Sequence, residues 1–166
     1  MPAPIHCLDL AVPSEWLDYN GHMNDACYAT AFSRAVDAFL DRIGFSSQER
    51  ARTGRTIYTL SMLIRFVAEA KLGDNIVLNL HLLERDSKRI RIWQEARRPS
   101  GTLLATCEQV LMCVDQTGAK PRAAEFPVEA GDRLIAIAED QESLPTPLEA
   151  GQGLLLRRRE PFSVTP

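Results

Sequence analysis

The sequence predicts an α+β domain in which one long central helix is wrapped by a curved antiparallel sheet. Three observations carry that expectation. Tyr28, Phe32, Val36, Phe39 and Ile43 recur at steps of three and four, the apolar stripe of an amphipathic helix. Between Ile57 and Asp115 the apolar period changes to two, as in half-buried strands. The turn segments between those runs are of hairpin length, so the four strands are expected to pair antiparallel.

The elements follow in order. Ile5 to Val12 alternates well enough for a first strand, and Pro13-Ser14 ends it. Trp16 to His22 reads as a loop. Asn24 is a suitable N-cap, Asp25 suits the positive end of a helix, and Gly44 is a natural stop. Ser46 to Arg55 reads as a polar connector. Strands are expected over Ile57 to Ala68, Asn75 to Arg85, Arg89 to Arg98 and Thr102 to Asp115. Lys71-Leu72-Gly73-Asp74, Asp86-Ser87-Lys88 and Pro99-Ser100-Gly101 are the turns between them. A shorter helix begins near Pro127 and includes Leu134 to Ala138. Residues 1–141 are therefore expected as one domain. Residues 142–166, rich in Pro and Gly and carrying Arg157-Arg158-Arg159, are expected as a loosely held extension.

Bulk properties narrow the function. The 166 residues are 45% hydrophobic and 25% charged, an ordinary globular balance for one core. A net charge of −3 gives no reason to expect nucleic-acid binding. No apolar run approaches the roughly 20 residues of a membrane span, and Met1 to Leu10 lacks the pattern of a signal peptide. Cys7, Cys27, Cys107 and Cys113 form no C-x-x-C pair and no zinc spacing. Reduced, mostly buried thiols of a cytoplasmic protein are expected.

The chemistry is concentrated in Asp18-Tyr19-Asn20-Gly21-His22-Met23-Asn24-Asp25, directly ahead of the helical stripe. A loop of this kind can set a carboxylate beside free N–H groups at a helix start. A carboxylate next to an oxyanion site is the equipment for hydrolysing an activated acyl group.

Asp18, Gly21 three residues on, and Tyr28 ten residues on resemble the motif of the hotdog-fold acyl-CoA thioesterases, in particular the 4-hydroxybenzoyl-CoA thioesterase family. Gly73-Asp74 ahead of an alternating run is similar too, and the resemblance covers roughly residues 5 to 125. It implies a hotdog fold, acyl-CoA as substrate and no cofactor. It matches Asp18 to the catalytic carboxylate, as general base on water or direct nucleophile, and the N–H groups around Asn24 and Asp25 to the oxyanion site. Asn20, His22 and Asn24 stand where the best-known members often carry small or apolar residues. That version of the loop is similar to the subgroup that includes betainyl-CoA thioesterases of carnitine catabolism. A second hotdog branch uses a Glu in the central helix; none lies between Asn24 and Ile43.

The remaining residues keep two readings each. His22 orients Asp18 or hydrogen-bonds near the thioester, or it is a structural histidine holding the loop to a partner subunit. Asn20 gives an amide to substrate or binds its own backbone. Asn24 caps the helix and in doing so aligns the oxyanion donors. Trp16, Tyr19, Tyr28 and Trp93 supply a pocket wall, suited to a quaternary ammonium through cation–π attraction, or pack the core. Arg157-Arg158-Arg159 hold coenzyme A phosphates or form a solvated tail.

The expected reaction is hydrolysis of a small acyl-CoA thioester without a metal, because thiolate leaves readily. Two rivals remain: a hotdog hydratase or dehydratase of enoyl-CoA, and a non-catalytic acyl-CoA-binding protein. A sheet of this kind leaves an unpaired edge, and hotdog domains pair sheets with active sites between subunits, so a homodimer or homotetramer is expected.

Overall fold

In the computed structural model, which describes residues 2–154, three helices and six strands follow the order β1 (Ile5–Ala11), α1 (Asp25–Arg42), α2 (Ser47–Thr53), β2 (Arg55–Phe66), β3 (Asn75–Arg85), β4 (Arg89–Arg97), β5 (Leu103–Asp115), β6 (Arg122–Ala123) and α3 (Val128–Asp140). The long helix and the period-two strands lie where their patterns placed them. α1 buries Tyr28, Ala31, Phe32, Ala35, Val36, Phe39 and Leu40. These side chains pack on Ile76, Leu78, Leu80 and Leu82 of β3, Ile90 and Ile92 of β4, and Leu104 and Leu111 of β5. Burying each such side chain stabilises the fold by about 1.5–3 kcal/mol, so the stripe fixes which face of α1 meets the sheet.

All strand pairs are antiparallel, but the order across the sheet is β1-β3-β4-β5-β2, with β6 pairing the end of β5. Sequential pairing of the four long strands therefore fails at one point: β2 lies beside β5, not β3. The physical reason lies in the links: residues 86–88 and 98–102 are hairpin-length and keep β3, β4 and β5 adjacent, whereas residues 67–74 are long enough to cross. At its edge β2 has no fully buried residue, whereas β3, β4 and β5, under α1, each carry several. Residues 67–74 are then a crossover rather than a hairpin. Their backbone serves other partners: Val67 and Ala68 N–H donate to Leu104 O, Val12 N–H donates to Asp74 O, and Gly73 N–H donates to Val12 O.

The connector after α1 holds a short helix, α2. Ser46 caps it, its side chain accepting the Glu49 N–H at 3.2 Å. Ser46 with Glu49 three residues on is the start signal of a capped helix. Gly54 ends it in the left-handed conformation, φ 66°.

Beyond α3, the described residues 142–154 cross the outer face of the sheet. Gln141 is buried, its Oε1 accepting the Leu82 N–H at 2.9 Å and its Nε2 donating to Ala3 O at 3.1 Å. Further on, Gly151 N–H donates to Glu108 Oε2 at 2.9 Å and Arg65 Nη2 to Gly153 O at 3.0 Å. Arg157-Arg158-Arg159 lie outside the described residues.

Candidate active site

After β1 the chain makes a 3-10 turn, Ser14–Trp16, and closes a loop on itself. Asp18 N–H donates to His22 O at 2.8 Å, and Gly21 N–H donates to Asp18 O at 3.0 Å. Gly21 closes the loop with φ 75°, a conformation that other side chains resist. The same loop fixes the Asp18 carboxylate: Oδ1 accepts the Asn20 N–H at 2.8 Å and the His22 N–H at 3.2 Å. Oδ2 has no hydrogen-bond partner among the described residues.

The loop runs directly into α1. Met23 N–H donates to Ala70 O and Asn24 N–H to Trp16 O, each at 2.8 Å. Asn24 caps the helix, its Oδ1 accepting the Ala26 N–H at 2.9 Å; Asp25 Oδ1 accepts the same N–H at 2.8 Å. The Asn24 N–H is therefore occupied. The Asp25 N–H meets no acceptor among the described residues, and it stands at the positive end of the helix dipole.

Asp18, Asn20, His22, Met23, Asp25, Tyr28 and residues 66–69 line one cleft of about 350 Å³. Of the residues singled out in the sequence, the cleft brings together Asp18, Asn20, His22, Asp25 and Tyr28, with Asn24 behind them as the cap. Three others lie apart. Trp16 is in the core, 9% exposed, with the Arg34 guanidinium 5.1 Å from its ring centre. Tyr19 is 97% exposed. Trp93 is buried on the outer face, beside a larger cavity of about 590 Å³ under residues 144–149 that contains none of the loop.

Tyr28 forms the cleft's inner wall with Phe66. Burial pushes the Tyr28 phenol above its usual range, while the Ala70 backbone amide and the Arg98 guanidinium pull the other way. The His22 ring does not reach Asp18; its Nε2 lies 3.0 Å from Glu69 Oε2. What His22 gives Asp18 is its backbone N–H.

Glu69 and Phe66 carry no signal in the sequence that would attach them to the loop. Phe66 ends β2, and Glu69 lies in the crossover that follows, which is braced from behind. Arg98 Nη2 donates to Glu69 O at 2.7 Å and to Asp74 Oδ2 at 2.8 Å, and the Lys71 N–H donates to Asp74 Oδ2 at 3.1 Å. The Lys71 amide and Arg98 hold the Asp74 carboxyl below the usual carboxylate range. Among the described residues, no group of three or more His, Cys, Asp or Glu side chains is placed to hold a metal ion.

An anchored carboxylate with one unclaimed oxygen, sharing a cleft with an unclaimed helix N–H, can supply an oxygen nucleophile and bind the charge that forms on a carbonyl.

Known proteins are similar to the chain over most of its length. The model of the Thioesterase-like superfamily matches residues 12–134. A betainyl-CoA thioesterase of Pseudomonas aeruginosa is 40% identical over 139 residues, covering 83% of this chain and 86% of the relative. An L-carnitine dehydrogenase/betainyl-CoA thioesterase of Rhizobium meliloti is 36% identical over 150 residues, which is 90% of this chain and only 30% of that longer protein. A hypothetical protein of Staphylococcus aureus, solved in complex with CoA, superimposes with a TM-score of 0.83 at 28% identity, covering 93% of this chain and 98% of that one. A curled antiparallel sheet around one long helix, matched across these relatives, is the hotdog fold, and the chain belongs to the Thioesterase-like superfamily.

Proposed function

We propose that this protein hydrolyses a small acyl-CoA thioester to the free acid and coenzyme A, with betainyl-CoA as the acyl donor. The observation that carries the reading is the pairing of Asp18 with the start of α1. Its Oδ1 is fixed by two loop amides, its Oδ2 is unclaimed among the described residues, and Asp25, whose N–H is likewise unclaimed among those residues, lines the same cleft. The thioester carbonyl oxygen accepts the Asp25 N–H, and one such donor lowers the barrier by about 3 kcal/mol. The Asn24 cap holds that N–H in register. Asp18 either attacks the carbonyl carbon itself, expelling the thiolate and leaving a mixed anhydride that water then hydrolyses, or deprotonates a water that attacks the carbonyl carbon as the thiolate leaves.

The acyl group follows from the relatives named above and from the lining. Asp18 and Asp25 are carboxylates, the Glu69 carboxylate is taken up by the His22 ring, Tyr28 and Phe66 are aromatic, and no Lys or Arg lines the cleft among the described residues. Such a wall suits a quaternary ammonium better than a neutral or anionic acyl group.

The protein acts as a homodimer or homotetramer. β2 is an unpaired sheet edge with Tyr58 and Leu60 exposed, a surface that a second copy covers. Residues 1–141 form the catalytic domain and 142–166 an extension of it. A cytoplasmic setting is supported by four unpaired cysteines, of which Cys7 and Cys113 are pushed up to about 11 and Cys107 to about 12 by burial. No described helix is long and apolar enough to cross a membrane.

The test is a thiol-release screen over short, aromatic, long-chain and betainyl-CoA thioesters. Betainyl-CoA is expected to give the highest kcat/KM. No thiol release from any of them, with crotonyl-CoA hydration or tight acyl-CoA binding instead, would overturn the reading.

A further inference from the structure

We propose that Glu69 is a positioning residue for Asp18 and acts through His22; this rests on the reading of Asp18 as the catalytic carboxylate. The connection is a short chain of contacts. Glu69 Oε2 lies 3.0 Å from His22 Nε2, and the His22 backbone N–H donates to Asp18 Oδ1 at 3.2 Å. His22 O in turn accepts the Asp18 N–H at 2.8 Å. The peptide that carries the His22 ring thus holds Asp18 from both its backbone and its carboxylate.

Glu69 is a suitable anchor because its own backbone is fixed. Its carbonyl accepts Arg98 Nη2 at 2.7 Å. The neighbouring residue, Ala70, accepts the Met23 N–H at 2.8 Å, and His22 bridges Lys71. The crossover and the loop are therefore zipped together at the backbone, and the Glu69–His22 pair closes the zip on the cleft side.

The pair adds little to global stability. The Glu69 side chain is 66% exposed and that of His22 28% exposed, and polar contacts in such surroundings contribute weakly. Its effect is on geometry. A small displacement of a reacting group is enough to cost large factors in rate. Without Glu69 the His22 ring is free to turn, the loop peptide loosens, and Asp18 loses its fixed bearing on the carbonyl carbon. Ground-state binding of the acyl-CoA does not depend on that bearing.

The experiment measures kcat and KM for thiol release with betainyl-CoA in wild type, Glu69→Ala, Glu69→Gln, His22→Ala and the double variant His22→Ala/Glu69→Ala. Glu69→Ala is expected to keep the wild-type circular dichroism spectrum and to lower kcat roughly ten-fold, with KM within about two-fold. Glu69→Gln keeps an oxygen acceptor for the ring and is expected to retain most of the wild-type kcat. Glu69→Ala in the His22→Ala background is expected to cost nothing further. A Glu69→Ala variant with wild-type kcat, a loss confined to KM, or losses that multiply in the double variant would each overturn the positioning role. If wild type itself releases no thiol while Asp18→Asn binds acyl-CoA equally well, the catalytic reading of Asp18 has failed and the positioning role goes with it. An active wild type with an unaffected Glu69→Ala removes the positioning role alone.

Discussion

Tyr28 meets Phe66 edge-on, with ring centroids 5.3 Å apart and planes at 78°. This contact ties the first turns of α1 to the last residue of β2. The N-terminal end of the helix and the start of the crossover are thereby held on either side of one cleft. Edge-to-face pairs stabilise by about 0.5–1.5 kcal/mol beyond area burial. Phe66→Ala is expected to destabilise by about 1 kcal/mol in urea unfolding and to raise KM for betainyl-CoA, with a smaller effect on kcat. An unchanged KM would mean that the acyl group does not touch this wall.

Asp18→Asn keeps an oxygen that can accept the Asn20 and Ηis22 N–H groups, so the loop is expected to survive. Turnover is not, because an amide neither takes a proton nor attacks. A loss of roughly 100- to 10,000-fold in kcat is expected, the range for removing an acid/base group. Near-normal turnover by thiol release would exclude Asp18 as the catalytic group. One turnover of wild type in oxygen-18 water tests direct attack: label in the Asp18 side chain shows that it formed an anhydride that water opened at the aspartyl carbon.

Asn24 is a cap with a partial substitute. The Ala26 N–H that Asn24 Oδ1 accepts is also accepted by Asp25 Oδ1. Asn24→Ala is therefore expected to cost less than the usual ~1 kcal/mol of a lost cap. Asn24→Ala/Asp25→Ala removes both acceptors and is expected to cost more than the sum of the single variants. Urea midpoints of the three variants check this.

Asp74 links stability to pH. Its carboxyl is held below the usual carboxylate range by the Lys71 N–H and Arg98, so the folded protein binds that proton more weakly than the unfolded chain. The sign follows: this contribution is complete above the unfolded carboxylate pKa of about 3.9 and is lost as pH falls through the lower folded value. Asp74→Asn is expected to be less stable at pH 7 and to show a shallower decline in acid than wild type. Urea midpoints measured from pH 7 down to about 3 make the comparison; parallel curves would contradict it.

Leu60 is 51% exposed on β2, at the bulge between Thr59 and Ser61 on the unpaired edge. Leu60→Lys puts a charge where a second copy is expected to pair. Sedimentation is expected to move toward monomer, with loss of thiol release in proportion. A wild-type monomer with full activity would refute the assembly.

How much of this was legible in the sequence differs by element. The stripe from Tyr28 to Ile43 and the alternation in β3 to β5 depend only on neighbours in the chain, and both elements formed where the pattern lay. The Asn24 cap and the positive φ of Gly21 were equally local. The Ser46–Glu49 cap of α2 was present in the sequence but was read as a connector, because its seven residues carry no apolar stripe. The place of β2 was not legible: its alternation says it is a strand, not which strand it joins.

The amino-acid sequence by itself determined the elements, the turn chemistry of the Asp18 loop and the family pattern of Asp18, Gly21 and Tyr28, because each is set by interactions within one turn or one period. Only the tertiary structure decided that Asn24's own N–H is occupied while Asp25's is unclaimed among the described residues, that the His22 ring meets Glu69 rather than Asp18, and that Phe66 walls the cleft. Those relationships arise when β2 moves to the sheet edge and the crossover returns past the helix start. That placement is a matter of long-range pairing, β2 against β5 across the whole sheet, which no single segment fixes.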